Sequence, residues 1–148
     1  MDEKKIRLKL SGISQSYVVN NDVRHAITDI SLEVYANEFL VILGPGHCGK
    51  SVLLNIIGGI EKPVSGAMWL DGEPLSKSDK RISMVFQRLA LMPWLTVLGN
   101  VEFGPKIAGV GKAERRRTAR KFIDLVGLAG FEKSYPNELS GGMKHREV

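Results

Sequence analysis

Eight consecutive residues, Gly44-Pro45-Gly46-His47-Cys48-Gly49-Lys50-Ser51, match the spacing G-x-x-x-x-G-K-[ST] at every fixed position. This spacing suits the chemistry of phosphate. Glycines let the main chain turn tightly and approach an anion closely, so that several backbone N–H groups converge on phosphate oxygens. A helix starting directly after the loop aims its positive end at the same anion. Lys50 then reaches the β and γ phosphates of a nucleotide, and the Ser51 hydroxyl ligates Mg²⁺. A chance glycine turn is the competing account, and the elements on either side of the loop count against it. A second device lies in Leu139-Ser140-Gly141-Gly142-Met143, where a hydroxyl and two glycines at a helix start offer another anion contact. Gln87 closes the apolar stretch Ile82 to Phe86, and its amide oxygen can ligate Mg²⁺ and orient water, although a lone Gln can also be a polar strand end.

The elements that must position these residues are legible in outline. Phe39-Leu40-Val41-Ile42-Leu43 is a short continuous apolar run between turn residues, the pattern of a strand buried on both faces of a parallel sheet. It feeds the glycine turn. Ser51 to Ile57 then has helical content, and Gly58-Gly59 ends it. Strand, glycine turn and helix follow one another in the order a phosphate loop requires. Ahead of them, Ile6, Leu8 and Leu10 alternate with Arg7 and Lys9, and Ile30, Leu32 and Val34 alternate in the same way. Beyond them come strand candidates Met68 to Leu70, with Asp71-Gly72 as a turn, and Ile82 to Phe86. From Thr96 onward the pattern is helical. Ala119, Phe122, Ile123 and Val126 define one apolar face opposite the arginines, and Ser140 caps a last helix.

Composition narrows the class. The 148 residues, 43% hydrophobic and 25% charged, are enough for one domain with a real core. No apolar run reaches the roughly 18–20 residues of a membrane span. A single cysteine, Cys48, excludes an internal disulfide framework and points to a reducing compartment. Lys plus Arg is 21 and Asp plus Glu 16, a net charge of +5. Much of the excess sits between Lys112 and Lys121, which reads as a solvated helix face rather than a nucleic-acid site.

Taken in order, the phosphate loop, Gln87 in Met84-Val85-Phe86-Gln87 and the Leu139–Met143 segment resemble the P-loop, Q-loop and signature motif of ABC-transporter ATPases. The resemblance runs from about Ile6 to Arg146 and implies an α/β P-loop NTPase fold, here incomplete, with an antiparallel β subdomain and a helical subdomain. Residues 1–88 would form the nucleotide-binding core and β subdomain, and 89–148 the helical subdomain ending at the signature motif. The implied ligands are ATP and Mg²⁺. ATP would be held by Tyr17, stacked on adenine, and by Gly44, Pro45, Gly46, His47, Cys48, Gly49, Lys50, Ser51 and Val52. Mg²⁺ would be held by Ser51 and Gln87, and Lys50 and Gln87 would serve catalysis. Leu139, Ser140, Gly141, Gly142 and Met143 would meet the ATP of a second, head-to-tail subunit. Family members often carry Ser-Gly where this chain has Gly46-His47. If the position of His47 needs a positive φ, histidine tolerates it less well than glycine, and Gly46 beside it is expected to take over some of the flexibility.

Ala90 to Val97, with Asn100-Val101 and Gly127 to Phe131, resembles the importer subgroup for nitrate, sulfonates and taurine. That likeness implies a transmembrane permease as partner, a solute-binding protein beyond it, and a cytoplasmic location on the inner face of the membrane. Trp94 is either an anchor for the permease or packing beneath the helical subdomain. No downstream strand ending in Asp-Glu follows, and none of the three histidines falls at the family's switch position. The isolated chain is therefore expected to lack hydrolytic activity and to be marginally stable, because Phe39 to Leu43 would miss later sheet partners. The alternative is a catalytically inactive nucleotide-binding fragment, regulatory or from a damaged gene. A nucleic-acid-bound ABC ATPase is the third possibility, and the segment Met92 to Val97 argues against it.

Overall fold

The computed structural model describes residues 5–86 and 90–147, the side chains of 145–147 excepted. The chain divides into two compact units, one ending at Met84 and the other beginning at Val85.

The first unit is an antiparallel sheet with one helix. Strands β1 (Ile6–Val19) and β2 (Asp22–Tyr35) form a long hairpin whose turn is Asn20-Asn21. Both asparagines have positive φ, 52° and 65°, as the two-residue turns that match strand twist require. β3 (Ser65–Leu70) pairs with the other side of β1 and turns through Asp71-Gly72 into the short β4 (Glu73–Pro74), giving the order β2-β1-β3-β4. Helix α1 (Lys50–Ile57) lays Leu53 and Ile56 on the sheet, where they join Leu10, Ile13, Ile27, Met68 and Leu70 in one core. Each such buried side chain contributes roughly 1.5–3 kcal/mol relative to exposure. The expected alternation in β1, the strand at Met68 to Leu70 and the turn at Asp71-Gly72 are all present, and both strands of the first hairpin are longer than the alternation alone indicated.

Two strand expectations fail. Phe39 to Leu43 has no regular secondary structure, and Phe39 and Leu43 are 90% and 86% exposed. An apolar run becomes a strand only when neighbours take up its N–H and C=O groups, and the four-stranded sheet formed by the described residues does not include it. That sheet is antiparallel throughout, as expected of the β subdomain, and the described residues form no parallel sheet around Phe39 to Leu43. Ile82 to Phe86 is likewise irregular, although Ile82 leans on the core.

The second unit is helical. Thr96 caps α2 (Val97–Ile107) by accepting from the Gly99 N–H at 3.2 Å. α3 (Lys112–Leu125) and α4 (Gly141–Glu147) follow, with a 3₁₀ turn at Pro136–Glu138 between them. Val97, Ile123, Leu128 and Leu139 form the core of this unit, with Val126 and Met143 packed against it. Ala119 and Ile123 lie on the buried face of α3 as expected, but Phe122 at the margin of that face is exposed. Arg116, Arg117 and Arg120 are exposed, whereas Arg115 is half-buried and lies 3.8 Å from the carboxylate of Glu102.

Candidate functional site: the phosphate loop and the signature turn

The phosphate loop leaves the irregular run 39–43 and enters α1 at Gly49. Gly49 has φ 91° and is the N-cap of α1. A Cβ built there would lie 2.4 Å from Ile27 Cγ2 and 2.6 Å from the Ala26 carbonyl oxygen. Glycine at this place is therefore what lets the helix start lie against β2. Lys50 opens α1 and folds back over the loop. Its Nζ donates to the carbonyl oxygens of Gly44 at 2.8 Å and Pro45 at 2.7 Å, and stands 3.4 Å from Cys48 Sγ. Two of those partners are backbone carbonyls, weaker acceptors than the charged oxygens of a phosphate. Gly44, Pro45, Gly46, His47 and Cys48 line the exposed turn, and Ser51 is exposed on the first turn of α1. Val52 is half-buried and packs against the sheet core, a structural part of the segment.

His47 carries a positive φ of 64°, the conformation that its place in the loop put in question, while Gly46 is not among the residues of positive φ. The neighbouring glycine does not take over the left-handed conformation. It falls on a residue that bears a Cβ.

Tyr17 lies near the end of β1 and is 39% exposed. Its hydroxyl donates to Glu61 Oε1, a bond that also raises the phenol pKa. Sequence reasoning missed Glu61 altogether. Gln87 lies outside the described residues.

In the second unit the signature segment divides by burial. Leu139 is 5% exposed and Met143 packs beside it, so both hold the turn to the helical core. Ser140, Gly141 and Gly142 face outward. Ser140 Oγ accepts from the Met143 N–H at 3.4 Å, the capping expected of it. The approach to the turn is fixed from α2, whose Val97 and Leu98 N–H groups donate to the carbonyls of Ser134 and Glu132. Trp94 is 71% exposed in a segment tied down by Asn100. The Asn100 Oδ1 accepts from the Met92 N–H at 2.8 Å, and its Nδ2 donates to the carbonyls of Met92, Leu95 and Thr96 at 3.1–3.3 Å. Asn100 is a second residue whose positioning role the sequence did not disclose.

A sheet-and-helix unit bearing a phosphate loop, followed by a helical unit bearing a Ser-Gly-Gly turn, has the fold of an ABC ATPase cassette, of which this chain spans a part. Residues 27–148 match the family model of the ABC transporter, and the chain belongs to that family. Among its relatives is an uncharacterized ABC transporter ATP-binding protein, MJ0412, of Methanocaldococcus jannaschii, 46% identical over 145 residues that make up 98% of this chain and 54% of the relative. The taurine import ATP-binding protein TauB of Pseudomonas aeruginosa (strain PAO1) is 44% identical, over 95% of this chain and 53% of its own length. The nitrate import ATP-binding protein NrtD of Synechocystis is 38% identical over the same shares. The chain thus spans about half the length of these curated relatives. Among solved structures, the ATP-binding cassette MJ0796, a dimer bound to ADP and Pi, superposes with a TM-score of 0.82 at 32% identity. That match covers 95% of this chain and 66% of the solved one. The resemblance read from the motifs, its importer subgroup included, is borne out. Among the described residues no helix is long and apolar enough to cross a membrane.

Proposed function

We propose that this chain is the nucleotide-binding portion of the ATP-binding subunit of an importer for a small anion such as nitrate, a sulfonate or taurine. The observation that carries the reading is the Lys50 ammonium, held over the phosphate loop by the carbonyls of Gly44 and Pro45. On binding ATP, Lys50 exchanges the carbonyls of Gly44 and Pro45 for β and γ phosphate oxygens. The loop N–H groups and the start of α1 complete the cradle. Mg²⁺ takes hard oxygen ligands and keeps several of them from phosphate and water. The exposed Ser51 hydroxyl is a ligand of that kind, and Gln87 is assigned to the same ion by resemblance. Bound there with the nucleotide, Mg²⁺ would supply neutralisation of phosphate charge.

Ser140, Gly141 and Gly142 serve the ATP of a second subunit arranged head to tail, and their outward position supports this. Closure of the pair stabilises the charge that develops as the γ phosphoryl group passes to water. A transmembrane permease receives the resulting motion at the inner face of the membrane. Exposed Trp94, in a segment held rigid by Asn100, is suited to anchor that contact. A solute-binding protein delivers the anion from the other side.

Equilibrium binding of a fluorescent ATP analogue with Mg²⁺ tests the reading. Lys50→Ala is expected to weaken binding by about 100-fold, the scale of losing charged hydrogen bonds to two phosphates. Equal binding by both proteins contradicts it. Binding without turnover supports the narrower reading of a catalytically inactive nucleotide-binding fragment.

A further inference from the structure

Glu61 joins the end of α1 to the aromatic side chain on β1. It follows the turn that closes the helix, where the Ile60 and Glu61 N–H groups both donate to the Asn55 carbonyl at 2.9 and 3.3 Å. Its Oε1 accepts from the Tyr17 hydroxyl and also from Gln15 Nε2 at 2.6 Å. Gln15 is 5% exposed and is the buried polar side chain of this unit among the described residues. Nor can Gln15 readily turn away. Its Nε2 also donates to the Lys62 carbonyl at 3.1 Å, and its Oε1 accepts from the Ser16 N–H at 3.2 Å. Gln15 and Tyr17 are two residues apart on one strand, and both side chains reach the same oxygen of Glu61. A buried amide thus fixes a carboxylate, and the carboxylate holds the hydroxyl of a ring that is itself 39% exposed.

We propose that Glu61 is a positioning residue for the base of a purine nucleoside triphosphate: braced by Gln15, it fixes the plane of the Tyr17 ring on which that base stacks. The inference rests on the reading of Tyr17 as the stacking residue. A phenol ring without its tether samples other χ1 wells, and ordering it again on binding costs affinity. The same helix that presents Lys50 and Ser51 at its start ends at the turn carrying Glu61. Its eight residues rise about 12 Å, so one rigid element links the phosphate end of the site to the base end.

The test compares two probes on the full chain: ATP, and inorganic tripolyphosphate, which has no base. Glu61→Ala is expected to weaken ATP about 5-fold, the scale of one hydrogen bond, and to leave tripolyphosphate unchanged. Tyr17→Phe keeps the ring but removes the hydroxyl and is expected to do the same. The double variant is then no worse than either single one, because both break a single bond. Glu61→Gln retains an acceptor oxygen and is expected to recover most of the ATP affinity. Unchanged ATP binding in Glu61→Ala overturns the proposal, as do additive losses in the double variant. An equal loss of tripolyphosphate overturns it too, since the effect would then lie in the fold or the loop. Tyr17→Ala separates the layers. If it loses ATP affinity while Glu61→Ala does not, only the role of Glu61 fails, and if it loses none, the stacking role of Tyr17 fails with it.

Discussion

The two ends of the phosphate loop are built differently. On the helix side, Gly49 meets Ala26 and Ile27 of β2 so closely that a Cβ would stand 2.4 Å from a side chain. Leu53 and Ile56, a turn further on, are buried in the sheet core. On the strand side, Phe39 to Leu43 is as apolar as any strand of the protein, yet Phe39 is 90% exposed and the segment pairs with nothing in the four-stranded sheet. Both ends carry large apolar residues, and what differs is the supply of neighbours. The helix side draws on β1, β2 and β3, all present between Ile6 and Leu70. The strand side has no such set among the described residues, and Phe39 and Leu43 are correspondingly exposed.

The largest predicted effect breaks the helix side. Gly49→Val adds a clash with β2 and forces a β-branched residue to φ 91°, which together cost about 2–6 kcal/mol. Urea denaturation followed by far-UV circular dichroism measures the loss of the sheet-and-helix unit. A smaller contrast sets core against bare run. Ile13, fully buried, should cost about 2–5 kcal/mol when changed to Ala. Phe39→Ser should shift stability by only about 0.5 kcal/mol or less and should raise the concentration at which the protein stays monomeric in light scattering. If Phe39→Ser destabilises as much as Ile13→Ala, the strand side is packed in solution and the contrast fails.

The smallest effect is electrostatic. Asp79 pairs with Arg81 at 2.8 Å, and the Arg81 hydrogen bonds hold its carboxyl down at about 2, against an ordinary 3.8. Its folded pKa is depressed, so the pair stabilises above the unfolded value, and that contribution fades as pH falls through about 2. Arg81→Ala removes the side-chain donors but keeps the backbone N–H that bonds Asp79 at 2.9 Å, so the Asp79 midpoint is expected to rise part of the way to the ordinary carboxylate range, read from the side-chain carboxyl ¹³C shift against pH.

The same contrast explains what could be read from residue order and what could not. The phosphate loop, α1, the Asp71-Gly72 turn and the Ser140 cap depend on neighbours a few residues away, and all are where the residue types put them. The Asn20-Asn21 turn was a local signal too, and recognising it would have extended both strands of the first hairpin. Phe39 to Leu43 misled because an apolar run states a need for partners and not their presence. Glu61 and Asn100 were out of reach for the opposite reason. A Glu after a helix and an Asn inside one have many ordinary uses, and only the fold brings them to Tyr17 and to the Met92–Thr96 segment. His47 falls between these cases, since its place in the loop raised the question of φ and the backbone answered it at 64°.

The central claim is that the backbone from Gly44 to Ser51 closes on the phosphates of ATP. Amide hydrogen exchange of the full chain, read residue by residue with and without MgATP, tests it most directly. The account predicts that the N–H groups of Gly46 to Ser51 slow by at least about tenfold on adding nucleotide, the protection that even one net hydrogen bond of about 1.4 kcal/mol gives. It predicts little change in the exposed run Phe39 to Leu43. Unchanged exchange across the loop at saturating MgATP would contradict it.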